Sequence, residues 1–330
     1  MHILILGGTR FLGRHLVEAA LQAGHEVTLF NRGKTNPDLF PQVEALTGDR
    51  RESLAALRGH RWDACIDTCG YIPREVRMSA EALHDSVAHY TFISTISVYS
   101  DAITAGADES GPLITLADPT VEEVTGETYG GLKVLCEQAA ESTLPGRVLQ
   151  VRSGLIVGPH DPTDRFTYWV ARAAEGGPML APGDPAQTLQ FIDGRDQAAW
   201  IIRMTEARQA GIYNVSGPAY PLTLRETLDT CAQVAGAGAA LTWVDQAFLL
   251  EQGVAPWAEL PLWIPAGENA SLNLNLGKAQ AAGLTCRPLT ETVRDTLAWH
   301  QTRTDSFKRA FPAEREATVL AAWKEQSRQK

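Results

Sequence analysis

Short apolar runs alternate with longer segments of helical periodicity through roughly the first 200 residues. Runs at 2–7, 26–30, 43–47, 62–67, 89–95 and 147–152 have the length and composition of strands, and stretches at 11–24, 51–58, 73–85 and 127–143 read as helices. Near-continuous apolar strands joined by helical crossovers are the sequence form of a parallel sheet covered on both faces. The expected fold is therefore α/β, a doubly wound parallel sheet. A strand at 188–193 and a helix at 194–206 continue it, while helices at 223–235, 275–282 and 289–303 suggest a smaller α/β C-terminal substrate lobe over the sheet's carboxyl edge. The expected division is 1–154 plus 183–210 for the sheet domain and 155–182 plus 211–330 for the lobe and tail. The polar tail, 304–330, reads as a surface helix or frayed end.

The stretch Gly7-Gly8-Thr9-Arg10-Phe11-Leu12-Gly13 follows the first strand directly and opens the first helix. Glycines there let the backbone turn tightly and approach a pyrophosphate, and the helix amino terminus offers it free N–H groups. This context indicates a dinucleotide-binding (Rossmann) domain. Arg10 stands where a middle glycine is usual, and its side chain can reach an adenosine phosphate. The second strand ends in Asn31-Arg32, where an NAD-specific site normally carries an acidic residue for the ribose 2′-hydroxyl and where arginine accommodates a 2′-phosphate. NADP is thus favoured over NAD. Asp49, with Arg50 beside it after the third strand, is placed to accept from the adenine amino group.

In Tyr129-Gly130-Gly131-Leu132-Lys133, a phenol and an ammonium lie four residues apart and share one helix face. A nearby cation favours the phenolate, and such a tyrosine can exchange a proton with a substrate hydroxyl or carbonyl while hydride moves to or from a cofactor. The fifth strand runs out in Ser94-Thr95-Ile96-Ser97, which brings hydroxyls to the carboxyl edge, where open α/β folds bind ligands.

Together the glycine loop, the Thr95 region and the Tyr129/Lys133 pair resemble the extended short-chain dehydrogenase/reductase superfamily, its NAD(P)-dependent epimerase/dehydratase group, and within it an atypical Gly-Gly-x-x-x-x-Gly subgroup. The match runs from residue 1 to about 200. The resemblance implies that Tyr129 is the general acid/base, that Lys133 binds the nicotinamide ribose and lowers the tyrosine pKa, and that Thr95 orients the substrate oxygen. A shift of one residue would promote Ser94 or Ser97. It also implies that Thr68 and Cys69 lie along the cofactor, with Tyr71 beside them toward the substrate. Family dehydratases carry an Asp-Glu pair where this chain has Ile96 and Ser97, which argues against water elimination. Nucleotide-sugar 4-epimerases place an Asn where this chain has Leu155, which weakens that reading. A homodimer through helices 73–85 and 127–143 is the arrangement the resemblance suggests.

Composition narrows the classes further. A formal charge of −10, from 29 basic and 39 acidic residues, makes nucleic acid an unlikely partner, although the subgroup also resembles chloroplast stem-loop RNA-binding proteins. Five scattered cysteines, an odd number, favour a reducing compartment, and neither they nor the histidines form a metal set. No run is long enough to span a bilayer and no signal peptide precedes the fold, so the expected location is cytoplasmic. Candidate substrate contacts are Arg165, Tyr168, Trp169, Gln190 and Trp263, where aromatic groups could stack on a flat or sugar-like small molecule. The leading expectation is an NADP-preferring oxidoreductase that interconverts a secondary alcohol and a ketone. An NAD-dependent nucleotide-sugar epimerase and a non-catalytic dinucleotide-sensing or RNA-binding protein are the alternatives.

Overall fold

The computed structural model describes residues 1–265, 272–307 and 309–329. Seven strands form one sheet in the order β11-β6-β5-β4-β1-β2-β3, and every pairing in it is parallel. They are β1 (His2–Leu6), β2 (Glu26–Asn31), β3 (Glu44–Thr47), β4 (Ala64–Asp67), β5 (His89–Thr95), β6 (Val148–Ser153) and β11 (Gly211–Val215). Ile3, Leu4, Ile5 and Leu6 are fully buried because helices cover both faces. On one face α1 (Leu12–Gln22) packs beside α5 (Gly194–Glu206), and on the other α2 (Pro73–Leu83) packs beside α3 (Tyr129–Thr143). The chain reverses its direction of travel across the sheet between β1 and β4, which opens a crevice at the carboxyl ends of those strands.

A second core holds the smaller lobe. It is built from α4 (Arg165–Ala174), α6 (Leu224–Ala235), α7 (Gln246–Glu251), α9 (Leu289–Thr302), α10 (Ala313–Gln329) and the parallel pair β8 (Gly177–Pro182) and β13 (Ala239–Val244). Trp169 and Trp263 are fully buried in that core. Two short pairs join lobe and sheet: β7 (Leu155–Val157) runs parallel to β10 (Phe191–Asp193), and β9 (Thr188–Leu189) runs antiparallel to β12 (Leu222–Thr223).

Four segments differ from the sequence reading, each for a local reason. Residues 51–58 form no α-helix, only a 3₁₀ turn at Ala55–Leu57. The Ser53 N–H closes one helical turn on the Asp49 carbonyl, but the bonds that follow, Leu57 to Leu54 and Arg58 to Ala55, span three residues, and Arg50 is drawn inward to Asp67, so the turn is not carried on as an α-helix. The run 188–193 is two strands with opposite partners, broken at Gln190. Residues 211–215 form the edge strand of the main sheet, and α8 (Gly277–Ala281) packs on it, so both add to the sheet's core. The tail forms a surface helix, as read, and Phe311, Glu316 and Val319 dock it on the lobe.

Glu316 is what ties the last helix down. Its carboxylate accepts from Arg172 Nε at 2.7 Å, from the Leu180 N–H at 2.9 Å and from Arg309 at 2.5 Å. Removing one member of a buried ion pair strands the other charge. Glu316→Ala is expected to lower unfolding free energy by about 3 kcal/mol, read as a drop in the urea midpoint; an unchanged midpoint would show that the helix does not depend on this anchor.

Candidate active site

A single cavity of about 970 Å³ runs from the glycine loop to the amino end of α3. At its first end the chain turns through Gly7 and Gly8 at φ of 102° and 90°, conformations open to glycine and strained for other residues. A Cβ on Gly7 would stand 2.3 Å from Thr68 Oγ1, and one on Gly13 would meet the Gly8 backbone at 3.0 Å. α1 can therefore begin against the loop only because both positions lack side chains. No side chain caps that helix at Phe11, and although the Gly13 N–H is taken by the Arg10 carbonyl at 3.0 Å, the start of the helix lines the cavity, a position that suits a pyrophosphate.

All the expected cofactor residues from Gly7 to Gly13, with Asn31, Arg32, Asp49, Arg50, Thr68 and Cys69, line the cavity. Several nonetheless spend their polar atoms on the scaffold. Asn31 Nδ2 donates to the Gly7 carbonyl at 3.0 Å and its Oδ1 accepts from the Gly33 N–H at 2.8 Å, which clamps the loop to the end of β2. Arg50 is buried and forks onto Asp67 at 2.7 and 2.8 Å, with a further bond to the Glu75 carbonyl. The Tyr90 hydroxyl also donates to Asp67, and these partners hold its carboxyl below the usual range against the opposing effect of full burial. Arg50 is thus a strut beneath the floor. The Asp49 carboxylate accepts from the Arg51 N–H at 3.0 Å, and Thr68 Oγ1 donates to the Leu6 carbonyl at 2.7 Å. Arg10, Arg32 and Lys34 are exposed along the rim. Lys34, and Asn36, whose side chain donates to the Thr9 carbonyl at 2.9 Å, were not read from sequence. Loop residues carry no periodic pattern that would single them out.

At the other end, Thr95, Ser97, Tyr129 and Lys133 line the same cavity. The hydroxyls around Thr95 differ in their hydrogen bonds. Ser94 Oγ is committed to buried Glu137 at 2.6 Å, whereas the Thr95 hydroxyl donates to Ser97 Oγ at 3.2 Å, accepts from the Ser97 N–H, and interacts with the Tyr129 phenol. The phenol is pushed above its ordinary value, first by burial and then by Tyr71, with Thr95 and Arg165 opposing. Lys133, expected to lower it, makes its hydrogen bonds elsewhere. Lys133 Nζ instead donates to the carbonyls of Gly70 and Ile93 at 2.7 and 2.6 Å and lies 4.1 Å from the centre of the Phe92 ring. Burial brings its ammonium down to about 8, so it remains mostly charged near neutrality.

The substrate candidates divide. Tyr71 and Arg165 line the cavity. Tyr168, Trp169 and Trp263 do not: they are core residues, with Trp169 Nε1 bonded to the Pro261 carbonyl at 2.6 Å. Gln190 is a splice between segments, giving Nε2 to the Leu274 carbonyl and taking the Leu274 N–H on Oε1, both at 2.9 Å. Trp257, Ile264, Leu272, Leu155 and Ile96 form the cavity wall there. Trp257 and Trp263 are neighbours in sequence and alike in type, so only packing separates the wall from the core. Among the described residues no cluster of His, Cys, Asp and Glu could hold a metal, and no helix is long and apolar enough to cross a membrane.

A doubly wound sheet, a glycine-turned helix start at its switch point and a Tyr/Lys helix across the same cavity define a short-chain dehydrogenase/reductase type of Rossmann protein. Residues 3–216 match the model of the NAD dependent epimerase/dehydratase family, and the chain belongs to that family. It is 27% identical over 257 residues to the chloroplast stem-loop binding protein of 41 kDa b of Arabidopsis thaliana, a match that covers 71% of this chain and 63% of that protein's length. An epimerase family protein of Bos taurus is 26% identical over 248 residues, covering 68% of this chain and 78% of its own. The fold is shared with UDP-glucuronic acid 4-epimerase from Bacillus cereus in complex with NAD, at 16% identity and a TM-score of 0.66, over 91% of this chain and 99% of that one.

The contact between Gly13 and the Gly8 backbone leaves no room for a methyl group. Gly13→Ala is expected to weaken dinucleotide binding by about tenfold or more and to cost roughly 1–3 kcal/mol of stability, checked by fluorescence titration with NADPH and by thermal melting.

Proposed function

We propose that the protein is an NAD(P)-dependent oxidoreductase that interconverts a secondary alcohol and a ketone, with Tyr129 as general acid/base and NADP as the favoured dinucleotide. The observation that carries this is the continuity of the cavity, which joins the glycine loop to the Tyr129 and Thr95 hydroxyls. The glycine cradle and the uncapped start of α1 fit a pyrophosphate, and Thr68, Cys69 and Lys133 line the path toward the hydroxyls. A bound nicotinamide would supply or accept hydride there. The protein's own part is proton movement: Tyr129 gives its hydroxyl proton to the substrate oxygen during reduction and takes it back during oxidation, while the Thr95 hydroxyl, turned from Ser97 Oγ, donates to the same oxygen. A phenol raised by burial is a proton donor at neutral pH, which suits the reductive direction.

NADP is favoured because Arg10, Arg32 and Lys34 stand exposed on the rim and Asn31 presents no carboxylate to repel a 2′-phosphate. A nucleotide-sugar epimerase is less well supported, since Leu155 gives that part of the wall an apolar surface where such epimerases are expected to carry an Asn. RNA binding is disfavoured by the charge of −10.

Tyr129→Phe is expected to reduce turnover by about 10²–10⁴-fold with dinucleotide affinity unchanged, followed as consumption of reduced cofactor with a panel of ketones; full retained activity sinks the assignment. Arg32→Ala is expected to weaken NADPH by about tenfold while leaving NADH unaffected, since only the phosphate loses a charged partner. Equal losses for both dinucleotides would remove the argument for NADP, as would NAD recovered at stoichiometry from the denatured protein.

A further inference from the structure

At the far end of the cavity, beyond Tyr129, stands Arg165, the first residue of α4. Its Nε donates to the Thr163 hydroxyl at 3.0 Å, which fixes the stem and leaves the two terminal nitrogens of the guanidinium unspent. The group lies against the Trp257 indole, 5.4 Å from the ring centre. Among the described residues no carboxylate comes within ion-pair distance of it. The contrast with its neighbours is sharp, because Arg172, Arg195, Arg287, Arg303 and Arg309 are each paired with an acid. The nearby acids are engaged elsewhere: Asp164 pairs with Arg303 at 2.5 Å, and Asp161 is buried and holds the Thr163 N–H and hydroxyl.

Part of this placement serves the fold, since Arg165 moderates the upward shift that burial imposes on the Asp161 carboxyl, but part does not. A cation in the first turn of a helix opposes the helix dipole. Asp164 and Trp257, which set the two sides of the stack, adopt left-handed backbones at φ of 55° and 61°, strained for residues with side chains. Around the guanidinium the wall is apolar, from Ile96, Leu155, Ile264 and Leu272. The phenol of Tyr129 is within electrostatic reach, since Arg165 is among the groups that moderate its upward shift.

We infer that the substrate carries an anionic oxygen pair, a carboxylate or a phosphate, on an apolar or aromatic body, and that Arg165 is the residue that selects it. The free fork of a guanidinium meets two oxygens in parallel, and Trp257 with its apolar neighbours takes the rest of the molecule. This placement holds the reacting carbonyl of such a compound toward Tyr129 and Thr95. The inference rests on the reading of Tyr129 as the acid/base, because it takes the Tyr129 end as the substrate end.

The test measures binding. Phenylacetate, phenyl phosphate and neutral phenylacetamide are titrated calorimetrically into the protein saturated with NADP⁺, in wild type and in Arg165→Leu. At least one anion is expected to bind wild type about tenfold more tightly than the amide, and the tighter anion identifies the head group. In Arg165→Leu that preference is expected to vanish while dinucleotide affinity is retained, and Arg165→Lys should restore part of it as a point charge. Equal binding of all three probes, a preference that survives Arg165→Leu, or no binding by any probe overturns the inference. Turnover is not read, so loss of the anion preference leaves the Tyr129→Phe result standing. An active Tyr129→Phe variant beside an intact preference sinks only the hydride-transfer reading.

Discussion

The close approach of α1 to the turn after β1 is the constraint from which the rest of the site follows. A Cβ on Gly13 would stand 3.0 Å from the backbone of Gly8, so helix and loop meet main chain to main chain. That contact puts the start of the helix, which no side chain caps, at the crevice between β1 and β4. Asn31 and Asn36 then lock the loop from the side, with bonds to the Gly7 and Thr9 carbonyls. A loop held in this way presents donors without reorganisation, which is what a tightly bound phosphate requires.

Burial, more than charge pairing, sets the protonation chemistry across the cavity. Lys133 is brought down and Tyr129 pushed up by the same cause acting on opposite charge types. Lys133 is held by the carbonyls of Gly70 and Ile93, so its ammonium fastens the segment after β4 to β5 beneath the site. Below it, the Arg50–Asp67–Tyr90 cluster satisfies every acidic oxygen it encloses and stiffens the floor. A second buried cluster runs from Ser94 through Glu137 and Arg152 to Tyr99 and Asn214, and commits the Ser94 hydroxyl to Glu137.

The acidic protein keeps its exceptions local. Arg10, Arg32 and Lys34 ring the loop end, and Arg165 alone stands beyond Tyr129 among the described cavity residues. The two groups are separated by the hydroxyls of Thr95 and Tyr129, so one cavity offers cations at both ends and proton donors between them.

Where a residue's role follows from backbone geometry, the chain could be read directly. Gly7, Gly8 and Gly13 announce themselves because no other residue takes those turns or that contact, and strand β5 and helix α5 fall at the very positions their periodicity marks. Tyr129 and Lys133 share a face because the helix fixes their spacing. The second lobe was legible only as a lobe. Tyr168, Trp169 and Trp263 sit in its core and Trp257 on its cavity wall, and an indole has the same composition in either place. Gln190 and Arg50 look polar and available in sequence, yet one ties the break between β9 and β10 to the segment at Leu274 and the other anchors a buried aspartate. Local rules act through the backbone and are written in order along the chain. Which side chains are spent on partners and which stay free depends on contacts between residues far apart in sequence, and only the folded chain decides them.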